Sequence, residues 1–287
     1  MSETLTNPPA YQEIAEAIRA RHLETPLDQV VGFDVETSEC HTVGVLSDHG
    51  FDQAPVFRDG SPVGFVIGAD LDMQGGGHIE TKMQTLGPEH LVSGESSLER
   101  TIRWLAERKF LFVLDGNAIT GLMTTADLNK RAGRTYFFLM LAELELVLSE
   151  LIRQKFPVQP AASDTSMPQP GVLEALGHAR RNGVLDRFSD DQRQGVDADL
   201  VACLTFADVC RVAENDAEIR GGLGFESKKR AKETFEPIKA LRDDVMHPVR
   251  AMLTPNRPIG VLEDLDRELR GLITNATAKV GVRAIYR

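Results

Sequence analysis

At 287 residues the chain is long enough for two domains of ordinary size. Its 42% hydrophobic and 26% charged content excludes global disorder, no apolar run approaches the roughly 18 residues of a membrane span, and the N-terminal stretch has neither the basic nor the apolar region of a secretory signal. A formal charge of -11 argues against a protein that coats nucleic acid or anionic lipid. The charge is unevenly divided, however. Residues 1–133 carry 10 Lys+Arg against 20 Asp+Glu, and residues 134–287 carry 22 against 23. That asymmetry predicts two domains with different tasks.

In chain order, residues 11–24 read as a short amphipathic helix, with Ile14, Ile18 and Leu23 on one side. Short strands and turns follow. Ala54–Phe57 and Val63–Ile67 flank a turn containing Asp59-Gly60, a strong hairpin signal. Phe110–Leu114 and Ile119–Met123 flank a second turn containing Asp115-Gly116. Aligning Gly64 with Gly121 and Asp70 with Asp127 exposes an internal repeat of helix, hairpin and helix.

From Thr125 to Phe156 the pattern turns helical, with Phe137, Met140, Leu141, Leu144, Val147, Leu148, Leu151 and Ile152 recurring at threes and fours. A single helix there, about 45 Å long at 1.5 Å per residue, would join the two halves. Pro157, Pro160, Pro168 and Pro170 make residues 157–170 a loop or semi-rigid linker. Helical stretches are predicted over 172–182, 197–219 and 226–247, and from Pro258 to about Lys279. The fold class is therefore α+β, an α/β repeat followed by an all-α bundle. Cys40, Cys203 and Cys210 are scattered and outside any zinc-ligand spacing, which fits thiols of a reducing cytoplasm.

Ala54-Pro55-Val56, Gly64 and Asp70 in one copy resemble half of a tandem CBS (Bateman) pair. Phe112-Val113, Asp115-Gly116 and the run Gly121 to Leu128 resemble the other half. The resemblance covers residues 25–131, with residues 1–24 as a preceding helical segment. It implies that Gly121, Thr124 and Asp127, in Gly-x-x-Thr-x-x-Asp, meet the ribose and phosphates of an adenosyl nucleotide such as ATP, ADP or AMP, bound as a regulatory ligand. A threonine at a helix start and a carboxylate suited to a ribose diol make that chemistry coherent. The same residues also read as a helix cap, with Thr124 or Thr125 as cap and Asp127 supporting the dipole. The first copy has Ile67 where a hydroxyl is expected, so one ordinary site per pair is anticipated.

The second pattern is Arg242-Asp243-Asp244-Val245-Met246-His247-Pro248, the chain's one Arg-x4-6-His. It resembles the motif of HEPN domains, all-helical units, across residues 132–287. That resemblance implies a metal-independent ribonuclease working as a homodimer, or a relative that has lost activity and serves as a scaffold. His247 would act as general acid or base and Arg242 would stabilise charge on phosphate. No metal or other cofactor is required by that chemistry. On an ideal helix the two side chains diverge by about 140°, but Pro248 disfavours helix at His247 and re-aims it. A surface Arg242–Asp243/Asp244 ion pair with His247 at a helix end is the structural alternative. Lys228-Lys229-Arg230 with Lys232 form a basic cluster upstream, and Glu143 and Glu145 are candidate acidic neighbours of the motif. The combined expectation is a cytoplasmic sensor-effector binding an adenosyl nucleotide and an RNA substrate, away from membranes. The alternative is a non-enzymatic, nucleotide-responsive scaffold.

Overall fold

The turn chemistry at residues 59–60 and 116–117 sets two copies of one small sheet. The computed structural model describes residues 10–74, 76–158, 169–196 and 199–281. Helix α1 (Tyr11–Glu16) belongs to one compact unit with the described residues from Arg134 onward, and residues 18–133 form a second. The helix expected over 11–24 thus stops at Glu16, and Ala20–His22 is a 3-10 turn.

The second unit contains β1 (Thr25–Pro26), β2 (Phe33–Asp34), α2 (Glu39–His49), β3 (Gln53–Arg58) and β4 (Ser61–Ile67). Its later half contains β5 (Gln84–Thr85), β6 (Leu91–Ser93), α3 (Leu98–Glu107), β7 (Phe110–Asp115) and β8 (Ala118–Thr124). One sheet has the order β2-β3-β4-β5 and the other β6-β7-β8-β1. The leading two-residue strand of each copy therefore pairs in the sheet of the other copy, antiparallel in both cases.

Small details repeat as well. Ser38 and Ser97 cap α2 and α3, and Thr42 and Thr101 each donate a hydroxyl back to the cap carbonyl. The ladders carry matching irregularities at Val56/Phe57 and Val113/Leu114. In the first hairpin Asp59 and Gly60 both have positive φ, the sign pattern of a type I′ turn. Gly64 and Gly121 occupy equivalent places for one reason. A Cβ on Gly121 would lie 2.7 Å from the Thr25 carbonyl oxygen, and one on Gly64 would lie 2.4 Å from that of Gln84. Both glycines let the borrowed edge strand approach.

The core of the first copy gathers Phe33, Leu46, Val56, Val66 and Ile79. Phe65 of β4 packs with Phe110, Phe112 and Leu122, joining the two sheets through edge-on rings; the Phe65 and Phe110 centroids are 4.7 Å apart.

The single helix expected over 125–156 is interrupted. Thr125–Asn129 is a 3-10 turn, Lys130 is extended (ψ 166°), and α4 runs Arg131–Lys155. The Asp127 carboxylate explains the break, because it accepts from the Thr124 N–H and closes the short turn on itself. The helix expected to begin at Thr125 therefore begins only at Arg131.

In the helical unit, α4 is followed by α5 (Pro170–Leu176), α6 (His178–Arg193), α7 (Phe206–Asn215), α8 (Ala217–Gly222), α9 (Lys228–Met246) and α10 (Ile259–Val280). The stretch expected over 172–182 divides at Gly177, which has φ 76°, and that expected over 197–219 divides at Asp216. Asp216 accepts from the Glu218 and Ile219 N–H groups and so starts a new helix. Of the Pro-rich stretch 157–170, residues 159–168 lie outside the described residues.

Tyr136, Phe137, Met140, Leu144, Val147, Leu148 and Ile152 of α4 are fully buried. Of the run Phe137–Leu141, only Phe138 is exposed, and the other four residues are core of their own unit. Polar groups reinforce this packing. The Tyr136 hydroxyl donates to Asp266 at 2.6 Å, and Arg270 reaches Tyr136, Asp266 and Glu16. The fold class is α+β, as expected.

Candidate functional site

In the α/β unit, β8 delivers Thr124 to the start of the 3-10 turn, and the turn brings Asp127 back beneath it. Asp127 Oδ2 accepts from the Thr124 N–H at 2.6 Å and from the Thr124 hydroxyl at 3.0 Å. Its Oδ1 lies 2.7 Å from Lys130 Nζ and accepts from the Thr25 hydroxyl at 3.4 Å. Lys130 also donates to the Leu23 carbonyl and to the Thr25 hydroxyl. Asp127 is buried.

The structure thus brings Thr124 and Asp127 together, and both are engaged as a cap. Gly121 serves the β1–β8 approach. Lys130, three residues after Asp127, completes the group, and the Asp-x-x-Lys spacing is a signal for such a pair. At the equivalent end of β4 there is a cleft of about 250 Å³, lined by Leu46, Phe51, Ile67 and Lys109 among others. Ile67 gives it an apolar wall, in keeping with the missing hydroxyl.

In the helical unit, α9 ends at Met246 and His247 leaves helical geometry (φ -109°, ψ 95°), as Pro248 requires. His247 is exposed and Arg242 is half-buried. Arg242 touches Asp243 at 3.4 Å, and its Nε is buried without a hydrogen-bond partner.

Arginines from three other places converge on the helix end. Arg134 of α4 donates to the Asp244 carbonyl at 3.0 Å and to the His247 carbonyl at 3.5 Å, adding to the bonds those carbonyls accept from the His247 and Arg250 N–H groups. Arg257 donates to the Asp244 carboxylate at 2.9 Å, and Arg250 lies 3.9 Å from it. The Asp244 charge, which would repel phosphate, is thereby offset.

Of the two acidic candidates, Glu145 responds to the motif. Burial pushes its carboxyl up, and the Arg242 charge pulls it back. Glu143 instead accepts the Tyr11 N–H at 2.9 Å. Sequence spacing carries no trace of Arg134, Arg250 and Arg257, because their meeting is tertiary. Among the described residues, no helix is long and apolar enough to cross a membrane.

No protein-family model matches the chain, and no curated protein matches it. Solved structures of CBS-domain proteins do match part of it. A CBS domain-containing protein of unknown function from Bacillus anthracis str. Ames Ancestor is 15% identical over 41% of this chain and 94% of its own, with a TM-score of 0.35. The CBS domain of a bacterial CNNM/CorC-family Mg2+ transporter in complex with ATP is 18% identical over 41% and 89%, with a TM-score of 0.35. CbpB in complex with c-di-AMP is 19% identical over 44% and 91%, with a TM-score of 0.37.

Proposed function

We propose that the chain is a nucleotide-responsive regulatory protein: residues 18–133 are a CBS-type pair that senses an adenosyl nucleotide, and the helical unit is its effector, a metal-independent ribonuclease acting as a homodimer. The observation that carries the sensor is the doubled α/β copy with Thr124 and Asp127 meeting at the end of β8. Asp127 accepts four donors in the free chain, so a ribose diol must take the places of the Thr25 hydroxyl and Lys130. Lys130, once displaced, is a cation for the phosphates. Calorimetry with ATP, ADP and AMP tests this assignment. Saturable binding that Asp127→Ala weakens at least about tenfold supports it, and unchanged binding in that variant overturns it.

The effector reading rests on the setting of His247. It is exposed at a helix end where Arg134, Arg242, Arg250 and Arg257 outnumber Asp243 and Asp244. In the reaction His247 takes the proton of an RNA 2′-hydroxyl, the 2′-oxygen attacks the adjacent phosphorus, and the P–O5′ bond breaks, the departing 5′-oxygen taking a proton from water. The products are a 2′,3′-cyclic phosphate and a 5′-hydroxyl. Arg242 holds the charge developing on the non-bridging oxygens.

A second reading has one observation in its favour. Val249, two residues past His247, is 97% exposed, an apolar group suited to a protein partner. On that reading the helical unit is a non-enzymatic scaffold.

A further inference from the structure

The basic cluster at the start of α9 divides in the fold. Lys229 lies 3.9 Å from Glu233 and Arg230 lies 3.8 Å from Glu268. Lys228 and Lys232, one helical turn apart, instead line a cleft of about 330 Å³ with Lys239 of the same helix and Arg211 of α7. That volume falls at the lower end of small-ligand pockets, roughly 300–1,000 Å³.

Two carboxylates share the cleft, and Lys239 engages both, Glu214 at 3.4 Å and Glu236 at 2.9 Å. The Lys239 hydrogen bond holds the Glu236 carboxyl below the usual range, and the charges of Lys232 and Arg211 add to the effect, so those cations face the same space. Arg211, Lys228 and Lys232 have no carboxylate within 4.0 Å among the described residues. Four cations against two carboxylates leave a surplus of two positive charges in a chain of net -11.

The surplus opposes stability. The first turn of α9 has no acidic residue and begins with two lysines, where the helix dipole disfavours cations. A bound anion reverses that penalty. Asn215 adds a direction. Its amide donates to the Ala175 carbonyl at 2.5 Å, which leaves its Oδ1 buried and without a partner, and Asn215 itself lines the cleft. A vacant acceptor suits a hydroxyl or amino donor on the ligand.

We infer that the α7–α9 cleft binds a small phosphorylated compound, a sugar phosphate or mononucleotide, with Arg211, Lys228 and Lys232 on the phosphate and Asn215 Oδ1 on a hydroxyl or amino group. None of Asp127, Arg242 and His247 is among the residues lining the cleft.

The test is calorimetry of the full chain at low salt with ribose 5-phosphate, inorganic phosphate, ribose and a short oligonucleotide. Ribose 5-phosphate is expected to bind saturably, one per chain, and more tightly than phosphate, while ribose gives no signal. Lys228→Gln and Lys232→Gln each weaken it about tenfold, and Asn215→Ala narrows the preference over phosphate. Lys229→Gln, an equal charge change outside the cleft, stays within about twofold. Circular dichroism confirms that these surface variants fold. The inference is overturned if ribose 5-phosphate gives no saturable binding, if Lys229→Gln weakens it as much as the cleft variants, or if only the oligonucleotide binds. Because neither Asp127 nor His247 is altered, failure here is distinguishable from failure of the sensor or the nuclease.

Discussion

Asp208 offers a quantitative test of what holds the helical unit together. Its side chain is 3% exposed at the start of α7, and Arg180 grips it with two bonds of 2.8 Å each. Burial works against its ionisation, but the Arg180 bonds and those from Thr205 overcome it and hold the carboxyl down to about 2 from 3.8. Asp208→Asn keeps the shape and removes the charge. A depressed carboxyl contributes stability that is fully present above its unfolded value and is lost as pH falls toward the folded one. The shift corresponds to about 2 kcal/mol at neutral pH. The assay is thermal melting followed at 222 nm, where helices dominate, with Trp104 fluorescence reporting on the α/β unit. The helical transition of Asp208→Asn should fall below the wild type by about 2 kcal/mol at pH 7. The gap should close between about pH 4 and pH 2. A gap that is equally wide at both extremes would refute the electrostatic account.

Three further outcomes are expected. Gly121→Ala should destabilise the α/β unit by about 1–3 kcal/mol, because the new Cβ meets the Thr25 carbonyl at 2.7 Å. Gly44→Ala, inside α2 with open space around it, should stabilise the same unit by about 0.5–1 kcal/mol, with Trp104 fluorescence reading both. In thiol titration at mildly alkaline pH, the native chain should expose Cys40 alone, and the unfolded chain all three cysteines. Burial pushes the Cys203 thiol up to about 11, with Asp191 adding to it, and burial pushes the Cys210 thiol further up.

The doubled α/β architecture was legible because both copies keep the same residues for the same physical reasons, Gly64 and Gly121 above all. Its edges were not. Thr25–Pro26 and Gln84–Thr85 are too short for any periodicity, and only pairing with the other copy makes them strands. Helix lengths were overestimated where an acidic side chain restarts or closes a turn within an apolar pattern, at Asp127 and at Asp216. At the candidate sites, the end of α9 at His247 followed from Pro248, and the Thr124–Asp127 pairing from their spacing. The arginines around Asp244 come from positions 134, 250 and 257, and nothing local announces their meeting. The basic cluster at 228–232 was visible as a run, but only the fold separates its paired members from those lining the cleft.

The central claim is that the exposed His247, with Arg242 of the same helix end, cuts RNA without metal. It is tested most directly by incubating RNA with the full chain in EDTA, with and without ATP or AMP, and comparing His247→Ala. The account predicts cleavage to 2′,3′-cyclic phosphate ends by the wild type, lowered about 100-fold or more by His247→Ala. Absence of cleavage in every nucleotide state, or equal cleavage by the variant, would contradict it.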